Sequence, residues 1–114
     1  MSALFPITHT ERAGWQRRAA AELAAILDAH RDLPVIAWTV ESAGSTLTGR
    51  VEAMGSAERV RAVFHDWRSA LVLTEHSETI IWSGTYYLRA VGWRARVRLA
   101  LSATVFDADG RGAW

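Results

Sequence analysis

One stretch, Arg94 to Phe106, constrains the fold more than any other part of this 114-residue chain. Apolar residues alternate there with polar or small ones, and a period of two is typical of a β-strand with one buried face. The residues expected on the buried face are Ala95, Val97, Leu99, Leu101, Ala103 and Val105. The other face begins with Arg94, Arg96 and Arg98. The stretch therefore predicts an apolar layer on one side of a sheet and a basic surface on the other.

The residues before this strand have a complementary pattern. If Gly92 and Trp93 form a two-residue turn, apolar residues fall opposite apolar ones, and polar residues opposite polar ones. On the polar side this register pairs Arg89 with Arg96 and Tyr87 with Arg98. A four-residue loop keeps every residue on the same face, whereas a three-residue loop does not. The pattern predicts one hairpin over about 79–106, preceded by a polar connection at 74–78.

An earlier pair of strands is predicted over about 34–54. A four-residue loop between Glu41 and Thr46 sorts both strands by polarity, as a half-buried hairpin requires. The predicted pairs on the apolar side are Val40 with Leu47, Trp38 with Gly49 and Ile36 with Val51, and those on the polar side are Thr39 with Thr48, Ala37 with Arg50 and Val35 with Glu52. Trp38 then fills the space that the absent side chain of Gly49 leaves.

Two helices are predicted by start signals and apolar spacing. Thr8 and Glu11 fit a capping box, and Pro34 disfavours helix at the residue before it, so the first helix spans about 9–31. Its stripe consists of Trp15, Ala19, Leu23, Ile26, Leu27 and His30. Ser56 caps a second helix over about 56–71. Its stripe is the clearest in the chain and consists of Val60, Val63, Phe64, Trp67 and Leu71.

These predictions combine into a single α+β domain. The order helix, hairpin, helix, hairpin gives an αββαββ chain, and two packed layers bury all the apolar faces at once. We expect a four-stranded antiparallel sheet with both helices on one face, and a flexible C-terminal tail over 107–114. The strand order is not fixed by the sequence.

The composition narrows the class of protein. The chain has no cysteine, so disulfides and thiolate metal sites are excluded. No apolar run approaches about 20 residues and no signal peptide is recognised at the start, so we expect a cytoplasmic protein without membrane contact. No motif calls for a cofactor. The net charge is only +1, yet the acid-free stretch from Thr79 to Phe106 carries four arginines.

These arginines supply the candidate binding site. It consists of Arg89, Arg94, Arg96, Arg98, Tyr87 and Arg50 on the polar sheet face. Arg89 opposite Arg96 is a like-charge pair that an acidic partner would relieve. We therefore interpret the chain as a non-enzymatic binding domain for an acidic protein partner or segment. The same charges, with Tyr87 as a stacking surface, give nucleic-acid binding as an alternative.

A simpler interpretation of the arginines stays open. All thirteen basic residues are arginine, and there is no lysine or asparagine, which is typical of a GC-rich coding bias. The arginines are then only a solvated face and are not selected for their hydrogen-bonding geometry.

Self-association and catalysis are two further hypotheses. Exposed aromatics favour interfaces, and a homodimer is predicted from the apolar residues expected at the surface: Trp15, Ile81, Val91, Trp93 and Trp114. The chemically active segments are His65-Asp66 and Glu75-His76-Ser77-Glu78, which contain metal-ligand types without metal-ligand spacing. An enzyme would require a histidine and an acid to meet in a pocket, which the spacing does not predict.

Overall fold

The computed structural model describes residues 7–42, 44–52 and 55–106. This part of the chain forms an α+β fold of two helices and one mixed five-stranded sheet. The elements are α1 (His9–Ala29), β1 (Ala37–Val40), β2 (Thr46–Val51), α2 (Ala57–Leu71), β3 (Glu75–Trp82), β4 (Thr85–Arg94) and β5 (Val97–Phe106). The predicted tail, 107–114, lies outside the described residues. Within the described ranges, neither helix is long and apolar enough to cross a membrane.

Both predicted helix starts are confirmed. The Thr8 hydroxyl accepts the Glu11 backbone N–H at 3.0 Å, and the Glu11 carboxylate accepts the Thr8 N–H at 2.9 Å, which completes the capping box. At α2, the Ser56 hydroxyl accepts the Arg59 N–H at 3.1 Å. These bonds satisfy amides that have no partner inside the first helical turn.

The two helices bury their stripes to different extents. All five predicted stripe residues of α2 are buried. In α1 only Ala19 and Ile26 are buried, while Leu27 is 46% exposed, contrary to the prediction. The buried residues of both helices belong to one core cluster with the apolar face of the sheet. The helices therefore cover one face of the sheet, which we call the helix face, and we call the other the open face.

The sheet has the strand order β1-β2-β5-β4-β3. β5 pairs with β2 in parallel and with β4 in antiparallel orientation, so the alternating stretch that ends at Phe106 supplies the central strand. Its alternating pattern is confirmed: Val97, Leu99, Leu101, Ala103 and Val105 are each at most 1% exposed. The predicted antiparallel four-stranded sheet is wrong, because a fifth strand is present and one pairing is parallel.

The fifth strand joins most of the segment predicted as a polar connection, residues 75–78, to the first residues of the predicted hairpin, 79–82. Residues Glu75 to Trp82 pair with β4 and form β3 at the edge of the sheet. A turn at Ser83 and Gly84, with a φ of 79° at the glycine, separates the two strands. The long strand predicted to run from Ile80 to Val91 is therefore divided in two.

The turn before β5 also lies elsewhere. Arg94 pairs with Val97, so the turn residues are Ala95 and Arg96, with φ values of 49° and 71°. Gly92 is instead a strand residue that pairs with Leu99, and a Cβ there would lie 2.8 Å from the Leu73 side chain. The glycine serves close packing, and two non-glycine residues take the left-handed conformation that a tight hairpin turn requires.

The predicted faces of β4 and β5 are correct despite this error in the turn. Ala90 pairs with Leu101 where the sequence predicted Ala95, and a shift by an even number of residues leaves every side chain on its own face. In the first hairpin the register itself is confirmed at four pairs: Ala37 with Arg50, Trp38 with Gly49, Thr39 with Thr48 and Val40 with Leu47.

Candidate functional site: the open sheet face

Strand register brings the polar residues of four segments into neighbouring rows on the open face. One row crosses the sheet through Arg50, Ser102, Arg89 and Ser77. The next row contains Thr104, Tyr87 and Thr79. Arg98 lies two rows away on β5, between Thr46 and Trp93. The predicted association of Arg89, Arg98, Arg50 and Tyr87 with one sheet face is therefore what the pairing produces.

A shallow depression of about 400 Å³ lies on this face. It is lined by the small side chains of Ala100 and Ser102 on β5 and by the longer side chains of Tyr87, Arg89 and Arg98. Short residues on the central strand beside long residues create the concavity. The remaining lining residues are Glu41, Ser42, Thr46, Thr48 and Leu101.

The charges in the depression are unevenly matched. Among the described residues, neither the Arg89 nor the Arg98 guanidinium forms a salt bridge or a side-chain hydrogen bond. The Glu41 carboxylate, in contrast, accepts the Thr48 hydroxyl at 2.8 Å. The depression therefore carries two partly exposed guanidinium groups that form no salt bridge with the described residues, and one carboxylate that is already hydrogen-bonded.

Arg50 shares the open face but does not line the depression. Its guanidinium lies 3.5 Å from the Glu52 carboxylate, and both side chains are exposed. An exposed pair of this kind contributes little to stability, about 0–1 kcal/mol. Arg50 is therefore a peripheral member of the predicted set.

Two predicted site residues lie elsewhere. Arg94 belongs to β4, whose even-numbered residues face the helices, and its Nε donates to the Glu22 carboxylate of α1. Because the turn lies at Ala95 and Arg96, Arg94 moves from the predicted strand to its neighbour and so changes face. Arg96 is exposed in the turn and does not oppose Arg89. The predicted like-charge pair is thus wrong, and Arg89 faces Ser102.

The sequence did not predict Glu41, Ser42 or Thr46 as site residues. They lie in the β1–β2 connection and at the start of β2. They come close to the arginines because β2 pairs in parallel with β5, which places Arg98 opposite Thr46. No local pattern encodes that long-range pairing. Thr48, Tyr87 and the arginines were found because alternation alone assigns them to the polar face.

The apolar residues predicted at the surface are only partly exposed. Trp93 and Ile81 are 68% and 54% exposed, as their positions predicted. Val91 is buried, contrary to the prediction, and Trp15 is half-buried. Trp114 lies outside the described residues.

On the helix face, β3 and α2 bring together two histidines that the sequence did not pair. The rings of His65 and His76 lie 5.8 Å apart between centroids, and His76 also contacts Phe64. Arg61 of α2 donates two hydrogen bonds to the Glu78 carboxylate, at 3.1 and 3.0 Å. Within the described residues no three candidate metal ligands cluster.

The pKa values of two side chains on β3, His76 and Glu78, are perturbed. The hydrogen bonds from Arg61 are the main reason that the pKa of Glu78 lies below its ordinary value, and burial opposes them. The His76 side chain is exposed, but partial desolvation of its ring is the main cause that lowers its pKa, and the nearby charges of Arg68 and His65 act in the same direction. Folding therefore favours neutral His76 and ionised Glu78.

We expect the stability of the β3 edge to fall in two steps as the solution is acidified. The His76 contribution is present above its ordinary pKa of 6.5 and is lost as the pH falls through the lower folded value. The Glu78 contribution is present above 4.5 and is lost as the pH falls through its own folded value. Both side chains are exposed, so each effect is small, below about 1 kcal/mol.

Urea unfolding from about pH 8 to about pH 3 measures this dependence. The His76→Gln variant should lose the first step and keep the second, and Glu78→Gln should do the reverse. Identical profiles for both variants and the parent chain would contradict the assignment.

Comparison of the chain with protein-family models, with curated proteins and with solved structures finds no match in any of the three. The interpretation of the candidate site therefore depends on the geometry and the charge of the site alone.

Proposed function

We propose that this protein is a binding domain whose open sheet face takes an acidic segment of a protein partner. The observation that carries the proposal is that Arg89 and Arg98 line one depression and neither forms a salt bridge with the described residues. A guanidinium that meets a carboxylate forms charge-assisted hydrogen bonds, each worth more than a neutral bond. Tyr87 and Ser102 add hydroxyl groups to the same surface.

The mixed charge of the face favours an acidic protein segment over nucleic acid. Glu41 lies inside the depression, and Glu75 lies one row from Arg89 on the same face. A polyphosphate backbone binds best to a surface on which many cations neutralise phosphates, and acids within that surface oppose it. A peptide can instead direct a carboxylate to each arginine and a donor to Glu41.

The spacing of the arginines sets the form of the segment. Arg89 and Arg98 are two rows apart, which corresponds to roughly 13 Å along the strands. An extended peptide rises roughly 3.3 Å per residue, so acids at positions i and i+4 match that distance. The preferred ligand is therefore an extended segment with two acids separated by three residues.

We expect a fluorescein-labelled peptide of this kind to bind with an affinity that falls between about 50 and about 200 mM salt. The Arg98→Glu variant should weaken binding about tenfold or more, because it removes a charge-assisted bond and adds a repulsive charge. The matched control is Arg59→Glu, which makes the same charge change at an exposed position of α2 and should bind like the parent chain. Fluorescence anisotropy gives both affinities.

A single-stranded DNA of random sequence is the competing ligand. Tight, steeply salt-dependent DNA binding without peptide binding would favour the nucleic-acid alternative. Absence of any binding at low salt, or equal loss in the Arg98→Glu and Arg59→Glu variants, would reject a specific role of the open face.

A further inference from the structure

The most exposed part of the sheet is its β3 edge. All eight residues of β3 are exposed, and among the described residues no strand or loop pairs with its outer side. The opposite edge strand, β1, has only four residues, and Arg12 of α1 donates to the Ser42 carbonyl just beyond its end. An edge strand with free backbone groups is a template for another strand unless charge, proline or a cover blocks it. β3 contains no lysine, arginine or proline; its acidic residues are Glu75 and Glu78, and an added strand must accommodate these two carboxylates.

The end of β3 is also apolar. Ile80, Ile81 and Trp82 are 64%, 54% and 72% exposed. A run of exposed apolar residues on an unpaired edge indicates a partner. A monomer that exposes both the apolar side chains and the free backbone groups of the edge is prone to association. The register irregularity between Ile80 and Trp82 limits regular pairing to the residues before Ile81.

We propose that β3 pairs in antiparallel orientation with β3 of a second copy of this chain, across a twofold axis at Ser77. The pairing continues the five-stranded sheet into a ten-stranded one. The twofold axis is perpendicular to the sheet, so opposed residues share a face and the two sequence numbers of each pair sum to an even number. This condition leaves few registers to compare.

Charge selects one of these registers. With the axis at Ser77, the imidazole of His76, which can donate an N–H in its neutral form, lies opposite the Glu78 carboxylate of the second copy, and the symmetry repeats this contact. Glu75 then lies opposite Thr79 of the second copy, and no like charges oppose each other. With the axis at Glu78, two carboxylates face each other directly, which is destabilising. With the axis at Thr79, Glu78 lies opposite the apolar Ile80 of the second copy, and the complementary contact is lost.

The same register accounts for the apolar ends. Beyond Ile80 each strand passes the segment that precedes β3 in the second copy, where Val72, the residue after α2, is 73% exposed. Trp82 and Val72 are exposed apolar residues at opposite ends of the paired segment. Antiparallel pairing therefore brings Trp82 of each copy to the end of the interface where Val72 of the other copy lies. The paired segment is short, so the area that it buries is small compared with the roughly 800 Å² per partner of a standard interface. We therefore expect a reversible, concentration-dependent dimer.

Sedimentation velocity over a range of concentrations tests the dimer. We expect the parent chain to move from monomer to dimer as its concentration rises. In the His76→Glu variant, a carboxylate faces Glu78 of the second copy at both symmetry-related contacts. The dissociation constant of the dimer should therefore rise about tenfold. The control is His65→Glu, which places the same charge on the neighbouring histidine of α2, away from the strand edge, and should dimerise like the parent. A parent chain that remains monomeric at every concentration would overturn the proposal.

Cysteine cross-linking tests the register independently of the histidine variants. The chain contains no cysteine, so a single Ser77→Cys substitution puts one thiol beside its own copy on the axis. Residues directly opposed across an antiparallel pair lie close enough for a disulfide, whereas residues two positions off the axis do not. Copper-phenanthroline oxidation should cross-link Ser77→Cys and leave Thr79→Cys monomeric. Preferential cross-linking of Thr79→Cys, or none in either variant, would overturn this register.

This dimer does not depend on the proposed function. It has one consequence for it, because a perpendicular axis places the two open faces on the same side of the extended sheet. Loss of dimer in His76→Glu with unchanged peptide binding per chain would separate the two proposals.

Discussion

Leu99→Asp should unfold this protein. Leu99 is 1% exposed on the middle strand of the sheet, where it is paired with Leu47 of β2 and Gly92 of β4 and belongs to the core that the helices cover. Removal of a buried leucine side chain costs about 2–5 kcal/mol. A carboxylate in its place also loses its hydration without gaining a partner, which adds a cost of about 1–3 kcal/mol or more. The sum is comparable with the total stability of a small domain, about 5–15 kcal/mol.

Far-UV circular dichroism and urea unfolding measure this loss. The control is Arg98→Glu on the same strand, whose side chain lies on the open face and forms no ion pair with the described residues. We expect this variant to remain folded within about 1 kcal/mol of the parent. Equal destabilisation by the two substitutions would mean that the two faces of β5 are wrongly assigned.

The face of each residue was predictable because it depends only on local alternation. The pairing of β4 with β5 was displaced by six residues, from Ala95 to Leu101 opposite Ala90, yet Leu88 and Ala90 are buried and Arg89 and Tyr87 lie on the other side as predicted. An even displacement cannot change a face. For the same reason the basic face was recognised although its register was wrong.

The positions of the turns were not predictable from residue preferences. Gly92 has the preference for a turn, but it lies in a strand against Leu73, and Ala95 and Arg96 adopt the positive φ values instead. A contact made by the segment after α2 thus decides where a hairpin turns much later in the chain. Arg94 changes strand, and hence face, as a direct result.

The full shape of the candidate site depends on long-range pairing. The first half of β3 was predicted as a connection because Glu75, His76, Ser77 and Glu78 are polar, and an edge strand exposed on both faces shows no apolar alternation. Likewise the parallel contact of β2 with β5 brings Glu41 to the arginines, and nothing in either segment specifies that order. Alternation predicts which side a residue occupies, and tertiary packing determines its neighbours.

The second large effect is expected from Trp67→Ala, which should lower the free energy of unfolding by about 4 kcal/mol. The Trp67 side chain is 2% exposed, and its ring meets that of Trp38 edge to face at 5.6 Å. Its Nε1 donates to the Pro34 carbonyl at 2.8 Å, and this bond ties α2 to the segment that enters β1. The substitution removes a large buried volume and leaves the Pro34 carbonyl without this donor.

Two matched variants separate these contributions in urea unfolding followed by circular dichroism. Trp67→Phe keeps most of the ring volume and loses the hydrogen bond, so it should cost about 1–2 kcal/mol. Trp93→Ala removes an equally large side chain that is 68% exposed, and should change stability by less than about 0.5 kcal/mol. If Trp93→Ala were as damaging as Trp67→Ala, the core would not be centred on α2, and the helix face would have to be reassigned. At position 67 we expect the free energy of unfolding to rise in the order Ala, Phe, Trp, because packing contributes more there than the single hydrogen bond.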